Sequence, residues 1–372
     1  MAFVGERTDV FVIGGGPSGL AAAIASRLKG FAVTVADGGE PPIDKVCGEG
    51  MMPDAQAALA KLGVKLPIAA RYRFRGIRFI QGDTQVAAEF PEGQGVGIRR
   101  TQLHEALIQE AQTCGVKLLW KTPVVGIESD RVRLNDETVA ARWIVGADGG
   151  HSRVRRWSQL DRAVMKSHRV ANRRHYRVRT WSDHVEIYWG LRVQAYVTPI
   201  AKEQVCIVTM GETAKDAEFE RALEVLPRLA QRLAGAEPRS RTRGAISATR
   251  SLARVWRGNV ALVGDASGGV DAITGEGLRL AFSQALALAE ALRGGDLRKY
   301  GCVHKQLAQR PLWMGTLLLQ LGRYDGMRTR VLSILSRNPE LFARLIAAHA
   351  GRATTSDLVA TGAKLGWQVL AS

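Results

Sequence analysis

The sequence predicts a mixed α/β (α+β) fold in three parts. These are a Rossmann-like nucleotide-binding domain, an inserted, mostly antiparallel β-sheet, and a C-terminal helical region. Three observations predict it. A glycine-rich turn joins an apolar strand to an alanine-rich helix over residues 9–25. Segments of alternating polarity crowd the middle of the chain, and apolar residues at helical spacing dominate from residue 297 onward. The 372 residues suit two interwoven units. Residues 1–70, 98–165 and 245–296 read as a discontinuous nucleotide-binding domain. Residues 71–97 and 166–244 read as the substrate domain, and 297–372 as the helical region.

Composition narrows the class. Hydrophobic residues are 46% and charged ones 23%, which excludes a disordered, collagen-like or membrane-embedded chain. The balance of 52 Lys+Arg over 35 Asp+Glu, a net +17, favours anionic partners. Cys47, Cys114, Cys206 and Cys302 are far apart and form neither a disulfide framework nor a zinc pattern. The apolar run Val10–Ala25 is broken by Gly14, Gly15, Gly16 and Pro17 and lacks a basic lead, so it does not read as a secretory segment. No stretch reaches the roughly 18–20 apolar residues that span a bilayer. The expectation is a reduced, cytoplasmic protein.

Asp9–Ile13 reads as a buried parallel strand and Leu20–Ala25 as the helix after the turn. Phe31–Ala36 reads as the next strand, with Asp37 at its end. Gly14, Gly16 and Gly19 fall on GxGxxG spacing with an acid about twenty residues on. The first glycine permits the tight turn, the second lets the backbone approach a diphosphate, and the third brings helix and strand together. With Pro17 and Ser18 they would present free N–H groups at the positive end of the helix dipole. Asp37 could accept from both ribose hydroxyls. These residues alone do not separate NAD from FAD.

Two later motifs bear on that choice. Arg142–Gly150 (RWIVGADGG) is a strand running into a Gly/Asp turn, and Asn259–Ala266 (NVALVGDA) is another. Gly275-Glu276-Gly277-Leu278 then opens a long apolar helix. An Asp at a strand end can hold a polyol hydroxyl. A Gly-x-Gly helix start offers bare N–H groups to negative charge.

GxGxxG, GADGxxS and GDA…GEG in this order resemble the FAD-dependent monooxygenases of the para-hydroxybenzoate hydroxylase type. The likeness covers most of residues 8–300. It implies FAD as cofactor, with Gly264 and Asp265 at the ribityl chain. It sets Gly275, Gly277 and Leu278 at the N1/O2 edge of the isoalloxazine, and Asp148 in the turn between cofactor and nicotinamide contacts. Arg100 would reach toward FAD, and Val124 is counted with the cofactor-binding residues. Two departures point to the geranylgeranyl reductase and flavin-dependent halogenase branch. Gly268 and Ala272 stand where the hydroxylases carry His and Pro, and Cys47 and Glu49 lie in a KVCGEG segment similar to that of the reductases. Cys47 would lie near flavin and substrate, and Glu49 could donate a proton; equally, Cys47 could pack and Glu49 could cap a turn. The halogenase Trp-x-Trp-x-x-Pro segment is absent, and Gln194–Pro199 keeps its proline alone.

The strands Tyr72–Ile80, His175–Trp181, Val185–Trp189, Ala195–Val197 and Val205–Met210 would form the inserted sheet. Tyr188, Trp189, Tyr196 and Pro199 are the candidate pocket residues, or else core. The arginine-dense stretch 151–180 suits phosphates of NAD(P)H, a flavin reductase or an acidic carrier protein, or is a solvated face. No nucleic-acid module accompanies the charge. The basic apolar helices after 297 would cover their own domain or lie on the inner face of the membrane, and Asn338-Pro339 would break them.

The seven histidines show no paired metal spacing and no GxSxG elbow appears, so the chemistry would be the cofactor's. The first expectation is a monooxygenase, reduced by NADPH or NADH, that hydroxylates an apolar aromatic or polyketide-like molecule through a flavin C4a-hydroperoxide. The alternatives are a flavin ene-reductase resembling geranylgeranyl reductase, and a flavin-binding scaffold for an acidic partner.

Overall fold

The computed structural model describes residues 7–352 and 361–362. The rest of the stretches assigned to 1–70 and 297–372 lies outside the described residues.

Apolar runs buried on both faces build the first sheet. Its parallel strands stand in the order Val260–Leu262, Thr138–Gly146, Arg7–Ile13, Val33–Ala36, Lys117–Leu119. Ile13 pairs with both Gly146 and Ala36, so the glycine turn leaves the sheet between two neighbouring strand ends. Helix Pro17–Leu28 starts with proline at its first position, where no amide donor is needed. Its alanines let helix Gly277–Arg293 pack closely against it. Burial of Phe282 and Leu288 in this seam contributes about 2 kcal/mol each.

The second sheet has the order Glu237–Pro238, Ala163–Arg177, Gln204–Gly211, Val193–Ala201, His184–Trp189, Gly76–Gln81, Thr84–Glu89, with Arg243–Leu252 also paired to Ala163–Arg177. Its ladders are antiparallel except that of His184–Trp189 with Gly76–Gln81. The long strands Ala163–Arg177 and Arg243–Leu252 belong wholly to this sheet. The domain edges expected at 165 and 245 fall inside these strands. A small third sheet of Gly50–Met51, Gly95–Ile98 and Arg71–Phe74 lies beside the Cys47 loop, so the segment 71–97 is shared between two sheets.

Helices Leu297–Arg323, Asp325–Arg337 and Pro339–His349 follow, with the expected break at Asn338-Pro339. Their apolar residues Leu332, Leu335, Leu341, Phe342 and Ile346 are buried against Phe79, Phe74 and Trp189 of the neighbouring sheets. That face is consumed internally. Among the described residues, no helix is long and apolar enough to cross a membrane.

Candidate functional site

The glycine turn is a cradle shaped by close approach. A Cβ at Gly14 would lie 2.5 Å from the Ala147 carbonyl oxygen, and one at Gly19 only 1.8 Å from that of Gly14. Gly14 has φ +111°, a conformation that favours glycine. A Cβ at Gly16 would meet nothing within 4 Å. Gly16 caps helix Pro17–Leu28 without a side-chain bond, which leaves the helix start bare toward open space. Ser18 stands across from Gly264, where a Cβ would come within 2.1 Å of its hydroxyl.

Asp37 folds back onto the turn. Its two carboxylate oxygens accept from Gly15 N and Gly39 N, each at 2.7 Å, so it braces the loop with the same group expected at the ribose. His104, which the motif reading passed over, holds the other side of this turn. Its ring lies 2.7 Å from the Gly15 carbonyl and accepts the Ile43 amide at 3.1 Å. Its spacing four residues after Arg100 on one helix is the signal that would have found it.

Asp148 caps helix Arg153–Trp157 by accepting from Arg153 N and Val154 N, while its Oδ1 is buried without a partner. Val124 is buried in the core beside Phe11, Ile13 and Ala36. Asp265 is exposed on the short turn Gly264–Ser267. The protein around its carboxyl raises it, with Lys45 and Arg100 opposing. Gly275 (φ +66°) and Gly277 face open space at the start of the helix that carries Leu278. The Glu276 side chain does not cap it. Glu276 instead binds Arg279 and Arg310, which also reach Asp54 at 3.5 and 3.4 Å. Burial, then the charge of Glu276, raises the Asp54 carboxyl.

Arg100 is buried and its Nε has no partner. Burial lowers its pKa, and the charges of Asp265, Asp44 and Glu49 oppose it. Burial pushes the Cys47 thiol up, with Arg100 holding it back. Glu49 N donates to Cys47 Sγ at 3.3 Å. Glu49 itself is buried with φ +58°. Its Oε1 accepts from Arg100 N at 2.9 Å and Arg173 at 3.4 Å, and its Oε2 lies 2.8 Å from His175 Nε2. Arg173 in turn pairs with Asp44 through two bonds of 2.7 and 2.9 Å, which holds that carboxyl below its usual range. The Cys47–Glu49 segment is thus tied to the second sheet.

The pocket candidates separate across that sheet. Tyr196 packs with Val46, Val208 and Met210 on the face toward the Cys47 loop. Trp189 lies among Phe79 and the C-terminal helices. Pro199 lies in the strand beneath Gly97. Tyr188 leaves this group: strand alternation turns it to the opposite face, in a core with Phe219, Leu226 and Leu229, where its hydroxyl donates to Glu186. Part of the arginine-dense stretch is internal, while Arg153, Arg156, Arg162, Arg177 and Arg179 are exposed. Arg155, Arg169 and Arg173 are buried, and Arg155 bonds Asp161, Gly150 and Ala266. A cleft of about 420 Å³ at Arg162–Val164 and Ser251–Ala253 contains none of the motif residues.

The bare helix start at Gly16, the unpartnered Arg100 Nε and Asp148 Oδ1, and the open Gly275–Gly277 turn fit an extended, anionic dinucleotide. Comparisons with known proteins agree. The chain is 27% identical over 356 residues to the menaquinone reductase of Mycolicibacterium smegmatis, covering 86% of each. It is 26% identical over 348 residues to the digeranylgeranylglycerophospholipid reductase of Methanothrix thermoacetophila, covering 87% of each. Its fold matches a flavin-dependent brominase with TM-score 0.81 at 18% identity, over 93% of this chain and 94% of the other. Residues 7–294 match the FAD binding domain family, to which this chain belongs as an FAD-dependent oxidoreductase.

Proposed function

We propose that the protein saturates a C=C bond in the isoprenoid chain of a lipophilic molecule, with NADPH or NADH as the source of electrons. The observation that carries this reading is the Cys47 thiol. It is kept protonated by burial and fixed by the Glu49 amide beside Arg100, whose charge is felt by the flavin-side Asp265. Saturation delivers a proton to the second carbon of the double bond, and a positioned thiol can supply it. Two full-length relatives named as reductases of prenyl lipids support the same reading.

When bound, FAD supplies the two-electron store. The chain's own residues do the rest. Gly14, Gly16 and Gly19 would let the backbone approach the diphosphate, and Asp265 would hold a ribityl hydroxyl. Gly277 and Leu278 would offer free amides to negative charge on the ring. Tyr196, Val208 and Met210 pack with Val46 as an apolar wall beside the Cys47 loop. Cys47 places a proton beside that wall.

The test is product mass. The flavin-loaded protein, reduced anaerobically, is given a polyprenyl quinone and a geranylgeranyl lipid. Gain of two hydrogens that persists after the quinone ring is reoxidised in air, lost in Cys47→Ala with flavin content unchanged, is the expected result. Gain of an oxygen atom by an aromatic substrate in air would replace this reading with hydroxylation. A flavin that no nicotinamide reduces would favour the scaffold.

A further inference from the structure

The exposure of Tyr196 marks an opening on one face of the second sheet. Its cross-strand partners on both sides, Ile187 and Val208, are buried, yet Tyr196 itself is partly exposed. It packs both beside Val46 and against the C-terminal helices, so the opening lies between the Cys47 loop and those helices. Strand alternation places Thr198, Tyr196 and Gln194 in one row on this face. The Thr198 end lies at the Cys47 loop. A Cβ at Gly50 would sit 3.4 Å from Thr198 Cγ2, and Cys206, paired with Thr198, donates through Sγ to the Cys47 carbonyl at 3.6 Å. The Gln194 end lies at Gly322 of helix Leu297–Arg323, where a Cβ would sit 3.1 Å from Gln194 Nε2. The row covers about 13 Å of strand.

Gln194 is 3% exposed, and its amide is held in one orientation. Arg169 Nη2 donates to Gln194 Oε1 at 2.8 Å, and the Tyr196 hydroxyl donates to the same oxygen at 3.1 Å. A guanidinium cannot accept, so the amide oxygen faces Arg169 and the NH2 group faces away from it. Among the described residues nothing accepts from Nε2. A buried donor with no acceptor is uncommon in a folded chain. Gly322 leaves this one uncovered, where a side chain would close over it. The nearby cation is already matched: Arg169 pairs with Asp271 at 3.4 Å and donates to the Met210 carbonyl. An anionic group would enter this buried position without a free counter-charge, which is costly. The amide therefore suits an uncharged acceptor.

We propose that Gln194 reads the head of the substrate. Its Nε2 donates to a carbonyl oxygen of an uncharged head group, as in a quinone ring, while the tail runs over Tyr196 toward Cys47. The path of the tail rests on the reductase reading; recognition of the head is a property of binding alone. Arg169 and Tyr196 are positioning residues that hold the amide by its oxygen.

Binding is measured by calorimetry on the oxidised, flavin-loaded protein, so that no turnover intervenes. The probes are a naphthoquinone carrying two isoprene units, the same molecule with naphthalene in place of the quinone ring, and a two-unit prenyl phosphate. Gln194→Glu keeps an oxygen for Arg169 and Tyr196 and replaces the donor with a second acceptor. It should weaken quinone binding about tenfold or more, as expected when a buried hydrogen-bonding group loses its partner. Binding of the naphthalene analogue should be unchanged, whereas a purely structural role would weaken both ligands alike. The neutral variant Gln194→Met should show the same selective loss and carries the test if Gln194→Glu does not fold. Equal quinone affinity in all three proteins, parallel losses for both ring systems, or a prenyl phosphate bound more tightly than the quinone by wild type would overturn the assignment. Product mass is read separately. Quinone binding that depends on Gln194 without saturation of the chain would sink the reductase reading and leave the head site standing. Saturation with unchanged binding in Gln194→Glu would do the reverse.

Discussion

His104 donates through Nε2 to the carbonyl of Gly15 while its Nδ1 accepts the Ile43 amide. An Nδ1 that accepts leaves the ring proton on Nε2, so the ring is neutral, and burial lowers its pKa accordingly. One side chain of helix Arg100–Thr113 thereby holds the glycine turn and the segment leading to Cys47.

His104→Ala leaves two backbone groups unpaired in the cradle. The expected loss is about 1–3 kcal/mol of stability together with weaker FAD retention. Thermal unfolding with and without added FAD measures both. A variant with wild-type melting and full flavin would show that the turn supports itself.

Gly16 and Gly19 separate folding from binding. Gly19→Ala drives a Cβ into the Gly14 carbonyl, so the protein should not accumulate folded. Gly16→Ala meets no protein atom and should fold normally. It should nevertheless purify with much less flavin, because its methyl group occupies the approach to the diphosphate. Yellow Gly16→Ala protein with full occupancy would contradict the cradle.

The thiol of Cys47 is raised by burial and eased by Arg100. Removing that charge in Arg100→Gln should raise it further. At pH 8 the variant holds less thiolate and should alkylate with iodoacetamide several-fold more slowly, a rate read by mass spectrometry. Faster alkylation would mean that Arg100 shields the thiol sterically instead.

His304 ties Ser267, on the turn that bears Asp265, to helix Leu297–Arg323 through a 2.8 Å bond. Burial lowers it to about 4. Its unfolded pKa is higher, so the unfolded chain binds the extra proton between about pH 6.5 and pH 4. Stability is complete above that window and declines as pH falls through it, by at most about 3 kcal/mol. Denaturant titrations from pH 7 to pH 4 should show the decline in wild type and a smaller one in His304→Gln. Parallel curves would assign the acid sensitivity elsewhere.

What the sequence determined by itself is the part of the protein governed by local backbone rules. A strand, a glycine turn and a helix within residues 7–28 declare the cofactor cradle, since each glycine's need is met by neighbours close in the chain or at the paired strand end. The GDA and GEG turns, the C-terminal helices and their break at Pro339 were legible for the same reason. Tertiary structure decided what depends on register and strand face. One residue of alternation carries Tyr188 away from Tyr196, and pairing of distant strands sets His175 beside Cys206. Side chains more than a hundred residues apart then close around Glu49, where burial removes the water that would otherwise screen their charges. That convergence has no spacing in the sequence to announce it.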